Sequence, residues 1–464
     1  MKYTFFTYLI KRDFIYSVLL YISFLVNYLF FISPFTYDLF VLLLVSQLAI
    51  CSFFISKLSS KGFARFLLFA VVLFPKKNIG DETANFFLLQ RMNLLDDVIW
   101  VYFDNIMLPI LAVSWVMIKF IKGQSITFYT SIIVVFVLGL LFLNAIYPVQ
   151  LTFWEYLPSL NILLFVTILL NYKDFWNSKG FFIKSIFVLI IIFYIEILLS
   201  FLGIIPAHLS YDYREGFRSI FIGFAVQVGF WSMLASFFSF YYLLDRGKII
   251  YFILFLLSMG IQFLSFDRGN LFLSILFALI LGFKYRYKMM VLTIFILTIF
   301  SPYLLSAVRQ SKIYQIKSSI DESDILGRNS AGDRFLIQAD YLKAIINNYG
   351  LPSGIGTNKI RYNKSRNYCT YYSDIDIHQA SHSLFVDSFF EYGFLIILIC
   401  FYLFVQQFAK MRLDFIGILI GIFLCLFWSF QSSPHYLFFL PLILSIWSVG
   451  PLQYNAKNAI RYKK

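Results

Sequence analysis

Charge is what this chain has least of. Asp, Glu, Lys and Arg make up 13% of its 464 residues, about half the share found in an average soluble domain. That is too little to cover a water-dissolved protein of this length. Cysteine is equally scarce. Of the four, Cys51, Cys400 and Cys425 stand inside apolar runs and Cys369 stands alone, which argues against a disulfide framework, a cysteine metal site and redox chemistry. A phosphate-cradling nucleotide loop and a His-Glu-x-x-His pattern are also missing, and Gly354-Ile-Gly356 has no strand–helix unit around it and reads as a turn. No metal and no nucleotide cofactor is therefore expected.

What fills the chain instead is apolar: 60% of residues are hydrophobic and the mean hydropathy is +0.79. Its main solvent is lipid. The expected fold is an all-α polytopic membrane protein, one integral membrane domain over residues 1–464. About 14 apolar runs reach helix length, near 14–33, 38–56, 63–75, 98–120, 126–146, 150–170, 181–203, 219–244, 248–265, 269–284, 289–307, 384–406, 413–430 and 434–450. The first is preceded by Lys2 and Lys11-Arg12 without a small-residue cleavage site, and so reads as a retained helix rather than a removed signal. The 59 phenylalanines are lipid-facing bulk.

The net charge of +14 arises from short basic loops: Lys57 to Arg65, Lys119 to Lys122, Tyr172 to Lys179, Asp245 to Lys248, Lys284 to Lys288, Lys410 to Arg412 and Lys457 to Lys464. Topology accounts for such loops, so no nucleic-acid partner is inferred. With 14 spans all seven fall on the cytoplasmic side, which is the reason to keep the short third span. The same arrangement puts His208, His378, His382 and His435, every histidine in the chain, on the outer face. Arg214 and Arg218, and Arg268 of Asp267-Arg-Gly-Asn270, face outward too. They run against the positive-inside bias and need another reason to be there.

Residues 306–383 form the one large polar interruption, an outward loop between the eleventh and twelfth runs. Inside it, Ser330 to Gly350 predicts a helix capped by Ser330 or Asp333, with an apolar face of Phe335, Ala339, Leu342 and Ile346 and a stop at Gly350. Lying on the membrane surface, it holds Arg334 near its positive end, a place for phosphate or pyrophosphate. Pairing with Asp333 or Asp340, or with lipid headgroups, explains Arg334 equally. The loop closes on His382-Ser-Leu-Phe-Val-Asp387-Ser-Phe-Phe-Glu391-Tyr-Gly393. Asp387 and Glu391 share a helical face with Ser383 and must meet a cavity or a cation, and a structural ion pair would satisfy them too. Imidazole titrates near neutrality, which makes His382 a candidate general base, with His378 beside it.

Asp267-Arg268-Gly269 at a helix start, a late outer loop with Arg334, Leu351-Pro-Ser-Gly354-Ile-Gly356, and His382-Ser383 with Glu391-Tyr-Gly393 together resemble the O-antigen polymerase and ligase superfamily. The likeness is nearest to oligosaccharide repeat-unit polymerases of the Wzy type. It covers the chain from Arg214 onward, with Ser383 standing where Asn is usual. The resemblance implies a cofactor-independent glycosyltransferase at the outer face of the cytoplasmic membrane. Undecaprenyl-pyrophosphate-linked oligosaccharides would be donor and acceptor, the product an O-antigen or capsule, and a flippase and a chain-length regulator the accompanying proteins. Arg268, Arg334, Arg214 and Arg218 would bind pyrophosphate, His382 would act on the acceptor hydroxyl, and His378, Asp387 and Glu391 would support it. A ligase passing finished glycan to another acceptor, and a lipid-linked oligosaccharide flippase, are the alternatives; against the flippase, no repeated halves are seen.

Overall fold

The computed structural model describes residues 2–31, 37–73, 103–123, 179–205, 225–265, 268–285 and 330–351. It also describes positions 211–212, 216–217, 219 and 222, and scattered positions within 383–394 and 419–423. These residues are mostly helical: α1 (Lys2–Phe31), α2 (Tyr37–Lys57), α3 (Ser60–Leu73), α4 (Phe103–Ile121), α5 (Lys179–Phe201), α6 (Ala225–Arg246), α7 (Ile249–Leu264), α8 (Arg268–Tyr285) and α9 (Ser330–Asn347). The first eight fall on predicted apolar runs. The runs at 126–146, 150–170, 289–307 and 434–450 lie outside the described residues, and those at 384–406 and 413–430 are described only in fragments. Among the described residues, one helix is long and apolar enough to cross a membrane: Gly180–Phe201 in α5, 22 residues with mean hydropathy 2.6. Leu42–Lys57, Ile249–Leu264 and Gly269–Phe283 are apolar but shorter. The short third run forms a helix of only 14 residues, about 21 Å long, below the roughly 30 Å of a hydrocarbon core.

Side-chain pairs fix how the helices run. Arg12 Nη2 donates to the Lys57 carbonyl (3.1 Å), and the Asn27 amide donates to Gln47, so α1 and α2 are antiparallel. Tyr21 bonds the Leu73 carbonyl (2.6 Å) while Asp13 meets Ser59, so α3 runs with α1. Ser114 reaches Leu48 and Lys122 reaches Ser56, so α4 runs with α2. Stacked Tyr242–Tyr251 and tilted Phe240–Phe255 give antiparallel α6 and α7. Between these groups α5 runs with α1, sharing a cavity through Phe181 and placing Glu196 within electrostatic reach of Tyr28. Lys57, Lys61, Lys122, Arg246 and Lys248 consequently gather at one basic end. One hydrophobic cluster, with Phe24, Phe66, Trp115, Phe193, Phe230 and Trp231 at its centre, unites α1 to α8.

The opposite end departs from the expected pattern. The eighth run was expected to start its helix at 219, whereas α6 starts at Ala225 and a two-stranded ribbon precedes it, β1 (Tyr211–Asp212) against β2 (Gly216–Phe217). Gly216, at φ 75°, makes the turn possible without a side-chain clash. Phe217 is buried edge-on against Phe193 of α5 (6.1 Å). Helical periodicity does not report such a short ribbon.

At the basic end, Asp13 accepts the Ser59 N–H (3.1 Å) and hydroxyl, while Ser59 Oγ accepts the Gly62 N–H (3.0 Å). This is an N-cap on α3 held from α1. A Cβ at Gly62 would come within 2.6 Å of the Asp13 carboxyl carbon, so glycine permits the approach. Asp13→Ala should lower stability by about 1–2 kcal/mol, read as a lower thermal midpoint of the detergent-solubilised protein; an unchanged midpoint would show that the cap is not structural.

Candidate functional site

Where the large loop ends, Ser383 starts a helix. Its carbonyl accepts the Asp387 N–H (2.9 Å) and its Oγ the Val386 N–H (3.4 Å), an N-cap with Asp387 one turn inside. Ser383 and Asp387 are both buried, so the face predicted from their four-residue spacing does turn inward. His382 immediately precedes the cap, but it lies outside the described residues, as do His378, Glu391, Arg214 and Arg218. By sequence Arg214 falls in the link between β1 and β2, and Arg218 follows β2.

Helix α9 docks on this segment. Tyr341 is completely buried and meets Phe390 edge-on at 5.0 Å, with Ile345 beside it. Further along, the Phe394 N–H donates to the Gly350 carbonyl (3.0 Å). The contacts run in the order Tyr341–Phe390, then Gly350–Phe394. The N-terminal half of α9, carrying Arg334, therefore runs back toward Ser383 and Asp387. Gly350 ends the helix as expected, at φ 68°, its N–H bonded to the Ile345 carbonyl (2.9 Å). Two details differ from expectation. The helix already includes Ser330, so Asp333 sits within its first turn rather than capping it, and Arg334 follows that turn. The buried face is Tyr341–Ile345, whereas Ala339, Leu342 and Ile346 of the predicted face are exposed. Aromatic packing against Phe390 outweighed the aliphatic stripe.

Arg268 is the first residue of α8. A cation there opposes the positive helix end, and an anion relieves both at once. Just below, three mutually packed helices carry polar groups at one level. The α6–α7 ring pairs place Ser232 level with Gln262, and Ser236–Ser274 (2.7 Å) with Phe237–Phe277 (4.3 Å) place Ser232 near the level of Asn270. All three are buried. Neither polar atom of the Gln262 amide, nor Gln227 Oε1 at the start of α6, has a hydrogen-bond partner among the described residues. On α5, buried Glu196 accepts the Ser219 hydroxyl (3.1 Å), whose oxygen accepts the Ile222 N–H (2.9 Å).

Sequence reading missed Glu196, Gln227 and Gln262. An acid or amide inside an apolar run was their only signal. It also passed over Asp374-Ile-Asp376 beside His378, which lies outside the described residues. Among the described residues no group of three His, Cys, Asp or Glu is placed to hold a metal. The structure brings Arg334's helix together with the helix that Ser383 caps, through Tyr341, Ile345 and Phe390. The α9 unit and the bundle bearing Arg268 form separate hydrophobic clusters.

No family model, curated protein or solved structure matches this chain.

A Cβ added at Gly350 would come within 2.0 Å of the Phe394 ring edge, on a backbone that already disfavours side chains. Gly350→Ala should loosen α9 and speed tryptic cleavage after exposed Lys343 at least about fivefold; unchanged cleavage would mean that α9 does not depend on this contact.

Proposed function

We propose that the chain is a membrane polysaccharide polymerase that joins oligosaccharide repeat units carried on undecaprenyl pyrophosphate, with its site on the face opposite the basic loops. The observation that carries this reading is the docking of α9, with Arg334 upstream, onto the helix capped by Ser383 with Asp387 buried beneath. The start of α8 at Arg268 supports it. The basic residues at the other end of the bundle support the multi-span orientation with the site outward.

Lipid pyrophosphate is itself an activated leaving group, so transfer needs no nucleotide sugar outside the cytoplasm. An acceptor hydroxyl attacks the anomeric carbon, the bond from that carbon to the pyrophosphate oxygen breaks, and its electron pair leaves with the pyrophosphate. Arg268 and Arg334, with Arg214 and Arg218, stabilise that charge. His382 takes the hydroxyl proton, with His378, Asp387 and Glu391 as its supporting groups.

In a deletion strain, wild-type gene should restore a size ladder of surface glycan, while Arg268→Ala, Arg334→Ala and His382→Ala, each inserted at wild-type level, should lower polymer by about 10²-fold or more. Single repeat units on the acceptor should replace the ladder. Long chains left on undecaprenyl pyrophosphate would instead indicate a ligase, and units trapped on the cytoplasmic side a flippase.

A further inference from the structure

At the basic end, α1, α3 and α5 enclose a cavity of about 280 Å³. Its wall is apolar, formed by Phe14, Val18, Tyr21, Phe69 and Phe181 among others. Phe14 is 68% and Phe181 38% exposed, so the groove opens sideways, on a face that lipid covers in a membrane helix bundle. Along α1 from Asp13 to Tyr21 it extends about 12 Å. Its polar lining is confined to Asp13, Ser17 and Arg65. The Asp13 carboxylate is already engaged by the Ser59 N–H and hydroxyl. The half-buried Arg65 has no ion pair among the described residues. Arg12, Lys57, Lys61 and Lys122 stand around the same end, so its charge is strongly positive.

We propose that this groove binds one anionic glycerophospholipid, with an acyl chain along Phe14, Val18, Phe69 and Phe181 and the phosphate at Arg65 and Ser17. The apolar wall sets the ligand class, because a small soluble anion would leave it empty. The rim is net positive, with Asp13 its one acid and that acid engaged by Ser59, and it selects negative headgroups over zwitterionic ones, as juxtamembrane cations do. A bilayer presents such lipids as solvent, so even a shallow site fills by mass action. The proposal rests on the chain lying in a membrane and not on the polymerase reading, and its readout contains no glycan.

The test is thermal unfolding of the purified full chain in mixed micelles carrying palmitoyl-oleoyl phosphatidylglycerol, the matching phosphatidylcholine, or undecaprenyl phosphate. Phosphatidylglycerol should raise the wild-type midpoint by several degrees, and phosphatidylcholine should not. In a lipid titration of the midpoint, Arg65→Ala should weaken the apparent affinity for phosphatidylglycerol about fivefold, equivalent to one surface cation, and Arg65→Lys should retain most of it. Should Arg65→Ala fail to fold, Val18→Trp on the exposed rim fills the groove without altering charge and should abolish the shift. Equal shifts with both phospholipids, equal shifts in wild type and both variants, or a response to undecaprenyl phosphate alone would each overturn the proposal.

Discussion

Polar atoms surrounded by apolar helices must find partners close by, and that requirement organises this molecule. In hydrocarbon an unpaired group costs several kcal/mol, whereas a formed pair between membrane helices contributes only about 0.6 kcal/mol. Such pairs therefore select a register more than they add stability. Asn27 with Gln47 sets α1 on α2, Asp13 with Ser59 sets α1 on α3, and Ser236 with Ser274 sets α6 on α8. Glu196 with Ser219 ties α5 to the segment that carries the β-ribbon. Rings fill the spaces between these pins, as where Phe237, Phe277 and Phe423 meet within 6 Å of one another.

Most of the exceptions lie at the end opposite the basic loops, although Arg12 Nε is also without a partner among the described residues at the basic end. Gln262 and the Gln227 carbonyl oxygen are buried without partners among the described residues, next to the start of α8 at Arg268. Two amides left unpaired among the described residues at this end carry a desolvation cost there. The second cluster answers the constraint differently. Ser383 caps its own helix, and α9 covers the buried Asp387 region with Tyr341 and Ile345. A positively charged helix start and a capped helix with an internal carboxylate are environments that the proposed reaction would use for pyrophosphate departure and proton acceptance.

Eight of the described helices were legible because apolar runs of that length read as helix. Their mutual direction agrees with the basic loops, since Lys57, Lys122, Arg246 and Lys248 gather at one end. The ribbon at Tyr211–Phe217 was not legible, since two residues per strand carry no periodicity and the signal was only Gly216. Nor was the buried face of α9. Leu342 and Ile346 look like core by spacing, yet Tyr341 has the partner in Phe390. The inward face of Ser383 and Asp387 was readable from their spacing, whereas Glu196 and Gln262 were lost among hydrophobic neighbours. Arg214, Arg218, His378, His382 and Glu391 were drawn from motif likeness and lie outside the described residues.

The most direct measurement is reconstitution. Purified protein in proteoliposomes, supplied with a single undecaprenyl-pyrophosphate-linked repeat unit from its own strain, should convert it to a ladder of longer lipid-linked chains. One undecaprenyl pyrophosphate should be released for each bond formed, with neither nucleotide nor divalent cation added. A substrate that remains a single unit in the presence of folded wild-type protein, with no pyrophosphate carrier released, would contradict the polymerase assignment.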